Sequence, residues 1–186
     1  MINHKFQFLY FFLLSWSLSA QVQLTGISSQ WNDSFSEWKV YASIDSTQEI
    51  EGEMHLKWAF KNDWTEWVID NILDTRVNIK MKYANNSNFW ELRSGNTIIM
   101  MQTKWSNDFT EWRVKFDGGQ VNWKADYKSN LNYWYYDDDK FGFMEMFSVY
   151  DNDPRDWEII EKSTNIPQEV NLACMFLTSF FTSPRQ

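Results

Sequence analysis

The chain has 186 residues, 44% of them hydrophobic and 19% aromatic, with 12 Trp and a net charge of −8. That apolar content excludes a chain disordered throughout, and the acidic balance excludes general affinity for nucleic acid or anionic lipid. The single cysteine, Cys174, excludes an intrachain disulfide framework, so the fold must be held by its core.

The N-terminus reads as an export signal. Lys5 precedes the apolar run Phe6 to Ser19, and "LSAQ" offers a small-residue cleavage site after Ala20. The run is short of the roughly 20 residues that span a bilayer. The expectation is a secretory signal over 1–20 and a single mature domain over 21–186, located in a periplasm, on a cell surface or outside the cell.

The mature chain repeats one phrase. "WNDSFSEW" (Trp31 to Trp38), "FKNDWTEW" (Phe60 to Trp67) and "WSNDFTEW" (Trp105 to Trp112) are its clear copies. "YANNSNFW", "YKSNLNYW" and "YDNDPRDW" share the frame and end at Trp90, Trp134 and Trp157. The six final Trp residues (Trp38, Trp67, Trp90, Trp112, Trp134, Trp157) are spaced by 29, 23, 22, 22 and 23 residues. A near-constant period marks a repeat architecture. Seven positions before each Trp stands another aromatic: Trp31, Phe60, Tyr83, Trp105, Tyr127 or Tyr150. Asn, Asp or Ser fills the fifth and fourth positions before the Trp. These residues favour turns because their side chains bond nearby backbone and tolerate left-handed φ.

Each copy therefore predicts a β-hairpin. For the second copy the expected loop is "NDWT" (Asn62 to Thr65), with Lys61 facing Glu66 and Phe60 facing Trp67 across the strands. The flanks alternate as half-buried strands should. Leu56 and Trp58 stand on one parity and Lys57 on the other; Trp112 and Val114 alternate with Arg113 and Lys115. The predicted fold is all-β: an antiparallel meander of six tandem hairpins of about 22 residues, about twelve strands in all. One apolar face must be buried, so the meander closes as a flattened barrel or folds as a two-layer sandwich. The last unit places Phe147, Val149 and Ile160 on the outward parity. The apolar tail 170–182 is accordingly expected to cover the outside of the last hairpin or the sheet edge.

Catalytic material is sparse. The mature chain has one histidine, His55, which reads as an ordinary strand residue. Glu37, Glu66 and Glu111 precede repeat Trp residues. A glycosidase needs two carboxyls about one bond, whereas acids that recur once per hairpin fit a structural role. Asp137–Asp139 and "DNDP" (Asp151 to Pro154) read as solvated turns without the spacing of a calcium loop. No catalytic residue, metal site or cofactor is assigned.

The remaining candidate is the rim of hairpin tips, where Phe35, Trp64, Phe109 and Leu131 stand three residues before their Trp. Aromatics there would stack on a glycan or another small apolar-faced ligand. The competing reading, favoured by their repetition, is that each folds onto its neighbour and staples the barrel end. The functional expectation is an exported, non-enzymatic binding or structural module of the cell envelope, with a glycan or envelope component as partner. Two alternatives follow from the same residues: a small outer-membrane barrel, the one reading that places the chain in a membrane, and a carboxylate-dependent hydrolase.

Overall fold

The computed structural model describes residues 22–45 and 48–184. The export signal and its cleavage point lie outside the described residues. Within them the chain forms β1 (Val22–Ser29), β2 (Glu37–Ile44), β3 (Gln48–Trp58), β4 (Asp63–Asp70), β5 (Val77–Met81) and β6 (Phe89–Ser94). It continues as β7 (Thr97–Trp105), β8 (Asp108–Phe116), β9 (Gly119–Tyr127), β10 (Asn130–Asp138), β11 (Gly142–Tyr150) and β12 (Asp153–Ser163), then ends in a helix, α1 (Gln168–Thr182). Each strand pairs antiparallel with the next, and β12 returns to β1 through Gly26↔Glu158, Ile27↔Trp157 and Ser28↔Asp156. The meander is thus a closed barrel, the first of the two expected arrangements, and closure leaves no sheet edge to protect.

The alternation sorts side chains by face. Trp38, Val40 and Ala42 on β2, Trp67 and Ile69 on β4, and Trp112 and Val114 on β8 are buried in the lumen. The outer wall carries charge, much of it in cross-strand ion pairs: Lys39–Glu51 at 2.8 Å, Lys57–Glu66 at 2.6 Å and Lys104–Glu111 at 2.5 Å. Glu91 sits among Arg93, Lys80 and Lys82. The hydrogen bond from Arg93 does most to hold its carboxyl below the usual range, against the opposing effect of burial.

The tail is the main departure from expectation. It covers neither the last hairpin nor a sheet edge; it is α1, and it fills the lumen. Every residue from Val170 to Phe180 is buried. Its contacts run around the wall. Phe176 meets Trp67 of β4 at 6.0 Å and Trp90 of β6 at 5.1 Å. Thr178 accepts a hydrogen bond from Trp123 Nε1 of β9, and Asn171 accepts one from the Tyr136 hydroxyl of β10. A helix buried on all faces that touches strands on several sides of a closed barrel lies inside it. The physical need is plain: a twelve-strand wall encloses a radius on the order of 11 Å, and a helix about 10–12 Å across occupies its axis. Because partners surround it, α1 is apolar all round and lacks the amphipathic period that would have marked it.

Polar groups fix the helix at its start. Asn171 Nδ2 donates to Ser163 Oγ at 2.9 Å, and Ser163 Oγ donates to Glu161 Oε1 at 2.7 Å. Glu161 Oε2 accepts from Gln168 Nε2 and the Leu24 backbone N–H. This buried carboxylate ties β12, β1 and α1 together at the end opposite the repeat tips. Burial raises the Tyr136 phenol well above its ordinary pKa, so it stays protonated as the donor to Asn171.

Candidate functional site

All six repeat phrases lie at one end of the barrel, and they share one construction. The side-chain oxygen four positions before each Trp (Ser34, Asp63, Asn86, Asp108, Asn130 or Asp153) accepts the backbone N–H two residues on. Each repeat Trp then donates Nε1–H to the backbone carbonyl three positions before it. The acceptors are Phe35, Trp64, Ser87, Phe109, Leu131 and Pro154. Asn62, Asn85, Asn107 and Asn152 occupy left-handed φ in the turns that precede. The repeat therefore encodes a tight hooked turn, with the indole satisfying a carbonyl that the hook frees from the strand ladder.

The hook decides which aromatics face solvent. Phe35, Trp64, Phe109 and Leu131 lean inward, half-buried on the core. Phe35 packs on Trp38 at 5.7 Å and Trp64 on Trp67 at 5.7 Å; Phe109 stacks on Phe181 of α1 at 4.7 Å. Phe35 and Trp64 thus fold onto their own hairpins and Phe109 onto the helix end, rather than onto a neighbouring hairpin as the stapling reading expects. The other aromatic of each phrase does the reverse. Trp31 is 52% exposed, Phe60 80%, Tyr83 53%, Trp105 58%, Tyr127 65% and Tyr150 62%. The expected inward pair of Phe60 with Trp67 does not form. Leu56 is the partner of Trp67, as Thr103 is of Trp112, and the register shifts immediately above, at Leu56/Trp58 and Thr103/Trp105. Between the pairs Thr103↔Trp112 and Trp105↔Asp108, as between Leu56↔Trp67 and Trp58↔Asp63, the incoming strand advances two residues and the outgoing strand four. The hook, a bulge, thus places two extra residues on the outgoing strand, and the aromatic that follows stands past the repeat Trp at the exposed end of the barrel. The second loop likewise differs from "NDWT": Ala59–Lys61 make a short 3-10 turn and Trp58 pairs with Asp63.

The result is a rim of six exposed aromatics, one per hairpin. Neighbouring tips are two strands apart, roughly 10 Å. Local contacts steady the rings: Trp31 Nε1 donates to Glu37 Oε2, Tyr83 meets Phe89 edge-on at 5.4 Å, and Lys61 Nζ lies 5.4 Å from the Phe60 ring. Between the first two tips is a cavity of about 210 Å³, whose walls include Phe35, Trp64, Leu56, Asp33, Asn62 and Pro184. Phe35 and Trp64 are thus brought together, while Phe109 belongs to the lid over α1.

The groups considered for chemistry are engaged elsewhere. His55 Nε2 lies 3.4 Å from Asp70, which also receives Nε and Nη2 of Arg76 at 2.7 and 3.0 Å. Burial opposes ionisation of Asp70, but Arg76 and then His55 outweigh it and lower its pKa. Glu66 is paired with Lys57, not Lys61, and Glu111 with Lys104. Asp138 accepts the backbone N–H groups of Lys140 and Phe141, and Asp153 that of Arg155, so both acidic runs build turns. No protein-family model, curated protein or solved structure matches the chain.

One tip makes a pH prediction. Lys128 and then Thr110 hydrogen-bond the Asp108 carboxylate and hold its pKa down to about 2, from 3.8. A carboxyl whose folded pKa is depressed adds stability above its unfolded pKa, and that stability is lost as pH falls through the folded one. Asp108→Asn keeps the turn acceptor, as Asn86 and Asn130 do in their copies, and removes the charge. The native chain should melt above this variant at pH 5, and the gap should close between about pH 4 and pH 2. A gap independent of pH would contradict the assignment.

Proposed function

We propose that this is an exported, non-catalytic module of the cell envelope that binds glycan through its aromatic rim. The observation that carries the reading is the exposure of an aromatic at the same repeat position in all six hairpins. Leaving six large rings in water is costly, and their recurrence at one end of the barrel makes that end the candidate contact site. The rim mixes those rings with Asn, Ser and Asp and includes the acidic residues Asp33, Asp126, Asp151 and Asp156. That chemistry suits neutral, hydroxylated rings with an apolar face better than anionic lipid. A covered outer wall would be needed for the outer-membrane alternative, since ion pairs such as Lys39–Glu51 and Lys104–Glu111 would face hydrocarbon; the helix-filled lumen also leaves little room for a pore. The hydrolase alternative is weakened by the pairing of Glu66 and Glu111 with lysines.

The test is retention of residues 21–186 on cellulose, chitin and peptidoglycan sacculi. The native protein should be retained on at least one. Phe60→Ala, Trp105→Ala and Tyr127→Ala together should abolish retention with the melting temperature unchanged. Equal retention of the triple variant, or no retention of the native chain, overturns the reading.

A further inference from the structure

We infer that the cavity between the first two hairpin tips is the rim's primary subsite and takes a single neutral pyranose ring. The inference rests on the glycan reading of the rim and goes further by naming where the first ring sits. The rim is not uniform. Three of the six tips are two-residue turns, such as Ser106–Asn107 between Trp105 and Asp108, and the third is a longer loop from Lys82 to Asn88. The first is a long excursion from Gln30 to Ser36, and the second is opened by the 3-10 turn Ala59–Lys61. The first two loops adjoin and line between them a cavity of about 210 Å³.

Its chemistry fits a sugar ring. Phe35 and Trp64 supply apolar faces, held in place by Trp38 and Trp67 at 5.7 Å each. A rigid aromatic wall presents area with little ordering cost on binding. Polar groups converge at the same wall. Asn62 uses its Oδ1 to accept Trp64 Nε1–H at 2.7 Å, which orients the amide and leaves its NH2 to donate. Asp33 forms no ion pair among the described residues, so its carboxylate can accept a pair of hydroxyls. Among the described residues neither a basic side chain nor a second carboxylate lines the cavity, so a phosphate and a metal ion are both poorly served. Trp31 and Phe60, the exposed aromatics of these same two tips, lie outside its lining and would carry the next rings of a longer chain. The roughly 10 Å between tips matches the span of two linked pyranose rings.

The experiment is calorimetric titration of residues 21–186 with β-1,4-linked glucose, N-acetylglucosamine and mannose and α-1,4-linked glucose, each as the single sugar and as chains of increasing length. Asp33→Ala and Asn62→Gly (glycine preserves the left-handed φ) test the cavity; Ile98→Ala and Lys115→Ala, exposed at the opposite end of the barrel, serve as controls, and Trp105→Ala with Tyr127→Ala probes the far side of the rim. Melting temperatures confirm that each variant folds. The inference expects both cavity variants to lose at least tenfold in affinity for the shortest ligand that binds, and the controls to keep it. Sensitivity to Trp105 and Tyr127 with indifference to Asp33 and Asn62 overturns the subsite and leaves the rim reading standing. No binding of any sugar in the panel, together with no retention on the three polysaccharides, overturns both.

Discussion

A chain ending before Gln168 is expected not to form the barrel. The helix is not an appendage on a finished fold; it is the centre of the core. Removing it would leave Trp67, Trp90, Trp112 and Trp123 facing an empty lumen, because each meets α1 directly. The milder change Phe176→Ala, which keeps the helix, should cost about 3–5 kcal/mol. Domains of this kind have about 5–15 kcal/mol in total, so that one ring is a large share. Phe176 touches Trp67, Trp90 and Phe180 at 5.1 to 6.0 Å, so the space it vacates cannot readily collapse. The truncated chain should show no cooperative melting by near-ultraviolet circular dichroism, and Phe176→Ala should melt cooperatively at markedly lower temperature. A truncated chain that melts like the full one would mean that the wall is stable empty.

This dependence also orders folding. The strands precede α1 in the chain, yet the lumen cannot be dry and packed until α1 is inside. Closure of β12 on β1 and entry of the helix are therefore coupled, with Glu161 bonding Leu24, Ser163 and Gln168 where the three elements meet.

The wall was legible in the sequence because a one-sided strand writes its environment with period two. Trp112 and Val114 against Arg113 and Lys115 could be read residue by residue, and the recurring Trp fixed the count of hairpins. Two features were not legible by that rule. The run from Val170 to Phe181 is apolar on every face, and such a run has no period to report. Its length was the available signal, since strands seldom exceed eight residues while helices need ten or more. The rim was misassigned for a different reason. Phe60 and Trp105 continue the inward parity of Leu56 and Thr103 on paper, but two extra residues in the outgoing strand set the repeat Trp opposite Leu56 or Thr103 and leave the earlier aromatic past the buried layer. The turn residues that cause the bulge were visible: Ser, Asp or Asn four before every Trp, followed in five copies by Ser, Thr or Asn two before it. What no composition reveals is that the indole N–H is used in every copy, which is why Trp and not Phe recurs.

That last point makes the sharpest test, because one hairpin carries two Trp residues with opposite roles. Trp112 is fully buried and donates Nε1–H to the Phe109 carbonyl at 2.9 Å. Trp112→Ala should cost about 3–5 kcal/mol, from lost burial and the cavity left behind. Trp112→Phe retains most of the ring but strands the carbonyl, and should cost about 1–3 kcal/mol for the missing bond alone. Trp105, seven residues earlier, is 58% exposed. Its replacement by Ala should change stability by no more than about 0.5 kcal/mol, as for other surface sites, while removing one ring from the proposed glycan rim. Urea unfolding of the three variants measures all three costs. If Trp105→Ala proves as damaging as Trp112→Ala, both rings belong to the core, the bulge is misplaced, and the rim cannot be a binding surface. If Trp112→Phe proves harmless, the repeated indole bond is incidental, and the recurrence of Trp must be explained by ring size instead. The expected order, large for Trp112→Ala, intermediate for Trp112→Phe and negligible for Trp105→Ala, would assign one aromatic of the phrase to stability and free the other for function.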